Sequence, residues 1–230
     1  MSIDVDIEVL EISRRLRSVA PEIVDPRPVI VTERPFHGAP IGALRATARS
    51  WHRAHRGASV VEVAKLADAL WETAVREEMV VAAMLLGADE RTRRATGVRR
   101  LDRWGRLLDN WETTDQLGQS LVAPWVADAP ARTSTLDLLA GRRNPWLRRL
   151  SLVGAIGVVR DGSWAPGAAL ILRLHRDREA AIPKAISWLM REGTRTCRID
   201  VETFLERYRT ELPAIAVRET RRKLDTGRKA

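Results

Sequence analysis

SVVEVAKLADALWETAVREEMVVAAMLLG, Ser59 to Gly87, holds two helical patterns with almost no loop between them. Ser59 with Glu62 three residues on is a capping box, each side chain taking up an amide that the first turn leaves unpaired. Val60, Val63, Ala64, Ala67, Leu70 and Trp71 then recur at helical spacing. The second pattern, VREEMVVAAMLLG, ends on Gly87, a residue suited to close a helix as its C-cap. Two helices joined this tightly read as one antiparallel pair.

The same periodicity runs outward. Helices are expected over 99–108, 114–126, 133–140, 145–159, 165–174, 178–192, 200–210 and 213–224. Pro145 and Pro213 suit first-turn positions, where a missing N–H costs nothing. A first helix, IEVLEISRRLRSVA, leads into an irregular connection from Pro21 to Pro40 that carries five prolines. Its valine-rich part, VDPRPVIV, is too interrupted for a central strand, and no other strand pattern stands out. The expectation is one all-α domain over residues 1–230, with a divergent segment 1–40 and a frayed tail 225–230. Short helices in tight succession suit an α-solenoid of stacked antiparallel HEAT-like pairs, whose concave face would be lined by basic residues. Self-similarity between segments is weak, and periodicity alone fits a compact non-repeating bundle as well.

The chain has a formal charge of +9, a pI near 10.9 and 30% charged residues. Such a surface attracts phosphates without reading sequence, so nucleic acid leads the partner classes. The basic residues cluster in RTRRATGVRRLDRWGR, GRRNPWLRR and RETRRKLDTGRK. No apolar run is long enough to span a bilayer, and the acidic start MSIDVDIEVLEIS has no signal-peptide core. A soluble, cytoplasmic monomer is expected. The single cysteine, Cys197, excludes an internal disulfide and a cysteine-based zinc site. His52 and His55 lie three apart with no further ligand, while His37 and His175 are isolated, so no metal site is expected. Phosphate-cradling loops, dinucleotide turns and nucleophile elbows are missing too. Any chemistry must come from carboxylates, arginines and aromatics.

Eight tryptophans stand beside two phenylalanines and one tyrosine. Trp71, Trp125 and Trp146 fit apolar stripes. Trp111 does not, because its neighbour one turn on is Asp115. Trp188 lies between Lys184 and Arg191 on one helix face, an arrangement that suits a nucleic-acid surface or an indole with snorkelling cations beside it. Asp115 by itself also reads as a carboxylate near a helix N-terminus or a salt-bridge partner.

Four blocks carry a resemblance: LADALWETAVREEMVVAAMLLG, LLDNWETTDQLGQSLVAPW, NPWLRRLSLVGAI and PKAISWLMREGTR. In order and spacing they are similar to the AlkD-type DNA alkylation repair family, HEAT-like-repeat DNA glycosylases, over roughly residues 40–224. The resemblance implies a catalytic aspartate at Asp115, active-site tryptophans at Trp111 and Trp188, and an essential arginine at Arg149. These would surround the deoxyribose of a damaged nucleotide, whose base leaves without being flipped. The substrate implied is double-stranded DNA carrying N3- or N7-alkylated purines, with no cofactor. Candidate backbone contacts are Arg148, Arg142, Arg143, Lys184, Arg191, Arg218 and Arg222. The residue after Trp111 is Glu112 where the family usually has aspartate. The N-terminus departs more: the family's longer helical hairpin is replaced by a short helix and VDPRPVIVTERPFHGAP, and similarity resumes at FHGAPIGALRATAR. Such a wall could admit bulkier adducts, in repair or in self-resistance. The competing readings are a non-catalytic scaffold that binds DNA or protein and an RNA-binding solenoid, the latter without a visible base-reading code.

Overall fold

The computed structural model describes residues 3–20 and 31–228, and these are helical with no strand among them. Residues 21–30, with most of VDPRPVIV, and 229–230 of the tail lie outside the described residues. No helix is long and apolar enough to cross a membrane. The chain divides into two compact units, Met1–Leu121 and Val122–Ala230.

The first unit holds α1 (Val5–Ser18), α2 (Ile41–Ala54), α3 (Val60–Glu72), α4 (Arg76–Gly87), α5 (Glu90–Arg93), α6 (Val98–Gly105) and α7 (Trp111–Leu117). The expected capping box opens α3: Ser59 Oγ accepts from the Glu62 amide and Glu62 accepts from the Ser59 amide. The reversal into α4 is made at Ala74, whose φ of 58° is left-handed. Three helices run parallel as a row. At their N-terminal ends the His37 amide, just ahead of α2, donates to Glu77 of α4, and Arg76 of α4 meets Glu112 of α7. At their C-terminal ends His52 Nε2 donates to the Leu85 carbonyl at 3.0 Å, and Gly87 abuts Ser120. Helices α1 and α3 back this row.

Helix α6 is fastened to α3 through Asp68, which accepts from Arg100, Arg103 and the Trp104 indole N–H. The Trp71 and Trp104 rings stack 4.3 Å apart at 6°, and Trp71 Nε1 donates to the Trp104 carbonyl. The basic run 91–106 is therefore less available than its sequence suggests: Arg93, Arg94, Arg100 and Arg103 all have partners within the chain.

The second unit holds α8 (Ala123–Ala127), α9 (Thr133–Ala140), α10 (Pro145–Arg160), α11 (Ala165–Leu174), α12 (Ala181–Thr196), α13 (Arg198–Tyr208) and α14 (Ala214–Thr226). Helices α9 and α11 have the expected bounds, and Pro145 sits at the first position after the Asn144 cap. Pro213 is the residue before α14 rather than within its first turn. Again a parallel row forms, α10, α12 and α14, backed by α9, α11 and α13. Arg149 of α10 donates to the Ala181 carbonyl at one end, and Thr196 Oγ1 donates to the Val159 carbonyl at the other. The row helices begin at Ile41, Arg76, Trp111, Pro145, Ala181 and Ala214, which are 35, 35, 34, 36 and 33 residues apart. A helix-pair repeat is thus present although the residues do not spell it.

Two further expectations need correction. The segment expected as one α-helix over 114–126 starts at Trp111 and widens into a π-helical turn at Gly118–Val122. Pro124 accounts for the widening: it has no N–H for the Ser120 carbonyl, and its ring would collide with that oxygen. Gly87 is not a left-handed cap either. It is helical, and a Cβ there would stand 1.9 Å from the Ser120 carbonyl oxygen, so glycine is required by close approach. Gly157 of α10 has the same role against the Ala123 carbonyl, at 2.1 Å. Gly87→Ala or Gly157→Ala forces backbone apart in a packed interior and is expected to cost about 1–3 kcal/mol. A thermal midpoint lower by several degrees in either variant checks this.

Candidate active site

Asn110 decides where α7 begins. Its Oδ1 accepts from the Thr113 amide, its carbonyl accepts from Thr114 Oγ1, and the helix starts at Trp111. Among the described tryptophans Trp111 alone is exposed, at 39%. Asp115, partly exposed, follows one turn later on the same face. Directly ahead, Asp109 accepts from Thr32 Oγ1 and the Glu33 amide, and Arg34 donates to the Leu107 carbonyl. Residues 32–34 of the divergent segment are thereby tied to the loop that delivers Trp111.

Around Arg76 two carboxylates share one guanidinium and differ in outcome. Arg76 donates to Glu77 at 2.8 Å and lies 3.0 Å from Glu112, with the Phe36 ring under its guanidinium. Burial pushes Glu77 up, but the His37 amide and Arg76 outweigh it, and its pKa is lowered. Burial also pushes Glu112 up, and Arg76 does not compensate, with Glu77 adding repulsion, so its pKa is raised. The difference lies in donors: Glu77 takes amide hydrogens from His37 and Gly38, whereas Glu112 Oε2 has no hydrogen-bond donor.

In the second unit, Arg149 is buried at 5% exposure and its Nη1 donates to the Ala181 carbonyl at 2.5 Å. Trp188 is half-buried, and its indole N–H donates to Glu192, itself paired with Arg160. Burial pushes Glu192 up, and the bonds from Arg160 and Trp188 more than reverse it. Trp188 lines a shallow cavity of about 170 Å³ with Arg191, Arg195 and Lys223.

The remaining candidate contacts fall into two sets. Arg142, Arg143, Lys184, Arg218 and Arg222 are exposed or partly exposed. Arg148 is held by Asp177 and donates to the Arg142 and Arg143 carbonyls, so it braces the loop that presents those arginines. Arg191 is held by Ser187 and Glu219. Arg195 and Lys223 are not among the candidate contacts, although Lys223 lies in the basic run RETRRKLDTGRK. Their proximity to Trp188 across α12 and α14 is tertiary. Trp146, expected in the core, is half-buried. Among the described residues no cluster of histidine, cysteine and carboxylates could hold a metal ion.

The chain is thus an all-α protein of paired helices, with an exposed indole one turn before a carboxylate in its first unit and a buried arginine in its second. The sequence profile of the DNA alkylation repair enzymes matches residues 22–224, and the chain belongs to that family. A solved structure titled a predicted DNA alkylation repair enzyme from Enterococcus faecalis has the same fold, with a TM-score of 0.68 and 17% identity over 98% of this chain and 99% of that one. No curated protein matches the chain.

The shift on Glu112 sets a pH dependence. A carboxyl whose folded pKa lies above its unfolded value, near 4.5, stabilises the fold less as pH rises between the two, and the deficit persists above the folded pKa. Glu112→Gln is therefore expected to raise the thermal midpoint at neutral pH. The gain should vanish below about pH 4, where the carboxyl is protonated in both states. Melting curves across that range measure it.

Proposed function

We propose that the protein is a monofunctional DNA glycosylase that hydrolyses the N-glycosidic bond of cationic N3- or N7-alkylated purines in double-stranded DNA. What carries the reading is the exposed Trp111 with Asp115 one turn on, in a chain of the DNA alkylation repair family. A pure binder of phosphate gains nothing from a carboxylate beside its aromatic surface.

The chemistry follows from charge. An alkylpurine of this kind is already positive, so the electrons of the C1′–N bond go to the base and neutralise it, without protonation. The sugar becomes oxocarbenium-like as the bond opens. The Asp115 carboxylate stabilises that charge and orients the water whose oxygen bonds to C1′, and it accepts the proton which that water releases. The products are a free alkylated base and an abasic deoxyribose. Trp111 and Trp188 offer their faces to the sugar and its cationic character. Arg149 anchors the adjacent phosphate, where a planar guanidinium serves better than an ammonium. In this reading the segment 32–38, tied to the loop ahead of Trp111, sets how bulky an adduct is accepted.

Asp115→Asn is expected to lower base release by about 100-fold or more while DNA affinity stays the same. Mass-spectrometric detection of 7-methylguanine released from methylated duplex DNA measures it. Equal release by the two proteins rules out the role given to Asp115. Tight binding with release by neither favours the scaffold reading.

A further inference from the structure

Helix α2 carries Arg45, Arg49 and Arg53 at four-residue intervals, with Arg56 just beyond its end, and no acidic residue within it. These arginines border a cavity of about 670 Å³, closed on another side by Arg91 and Asp89. Its floor includes Ala48, Val63 and Met84 of α2, α3 and α4. All five arginines are exposed.

Like charges at this spacing on one helix face repel each other, whereas Arg34, Arg76, Arg94, Arg100 and Arg103 of the same unit each have a carboxylate partner. Here no described carboxylate pairs with Arg45, Arg49, Arg53 or Arg56. Of the acids nearby, Asp89 lines the cavity beside Arg91; burial pushes its pKa up, and the Thr92 bonds and the Arg91 charge together lower it. Asp89 accepts from the Thr92 amide and hydroxyl. Glu8 of α1 accepts from the Trp51 indole and pairs with His55, the residue after α2. A concave surface of unpaired guanidinium groups lacks only an anion, and planar forks in series suit phosphate oxygens.

We propose that this cavity is a phosphodiester-binding site that grips the backbone of duplex DNA at a place separate from Trp111. It rests on the reading of DNA as substrate. Arg76, beside Glu112, and Met84, in the cavity floor, lie toward opposite ends of α4, so the grip is displaced from the indole along that helix by about 12 Å. Its contribution is to affinity for any duplex, damaged or not, and it lengthens the stretch of DNA the protein must have beneath it.

The test is a salt titration of an undamaged fluorescein-labelled duplex, read by anisotropy. Arg45→Ala/Arg49→Ala/Arg53→Ala is compared with native protein and with Arg14→Ala/Arg17→Ala, exposed α1 positions outside the cavity. Each phosphate that is no longer neutralised lowers the slope of log affinity against log salt by about 0.9, so the triple variant is expected to show a slope smaller by about 2–3. The α1 variant should keep the native slope. A native slope in the triple variant overturns the proposal, as does an equal reduction in the α1 variant. Base release from methylated DNA is scored separately, so an inactive protein that still shows the slope change refutes the glycosylase reading and leaves this site standing.

Discussion

Helix α4 has almost no solvent-facing side, and its first turn buries two adjacent carboxylates, Glu77 and Glu78. An uncompensated buried carboxylate costs several kcal/mol, so donors must be brought to both. Glu78 takes a hydrogen bond from Ser13 of α1 and another from His37 Nε2. Glu77 takes the amides of His37 and Gly38 as well as Arg76. One requirement thus fixes α1, the residues leading into α2, and the guanidinium that reaches across to α7. The described residues 3–20 and 31–40 of the divergent segment are an integral part of the unit, held by the carboxylates to which they donate.

The tryptophans divide by the same logic. Trp71 and Trp104 are fully buried, each with its N–H accepted, and they carry α3 and α6 as a packed pair. Trp111 leads a helix whose cap side chain is Asn110, and nothing in its turn covers it to the degree that the others are covered. Burial of an indole requires an acceptor for its N–H, and an exposed ring can instead offer a face to a ligand. Arg149 shows a related economy. One of its donors holds the start of α12, which fixes the side chain in place.

Much of the fold was legible because its signals are local. The capping box at Ser59, the Pro145 start and the periodicity of α9 and α11 need only neighbouring residues. The π-helical turn was missed because Pro124 acts on a carbonyl one turn earlier, in a segment whose apolar pattern otherwise continues. Gly87 was misread because sequence shows a glycine near a helix end and not the backbone pressed against it. Of the site, the pairing of Trp111 with Asp115 was visible in the spacing. Which arginines are free of partners was not. The dense run 91–106 is largely consumed internally, whereas ALRATARSWHRAHRG, whose cations are spread one per turn, presents four of them without a described acid. Density along the chain measures charge and leaves its partners unstated.

The stacked, nearly parallel indoles of Trp71 and Trp104, 4.3 Å apart, have an optical consequence. Rings so close and so nearly parallel couple their electronic transitions, and the coupled pair contributes its own band to the far-ultraviolet circular dichroism. Helix content read from ellipticity alone will therefore be offset by two side chains. Because both rings are buried in the first unit, the same band reports on the integrity of that unit by itself.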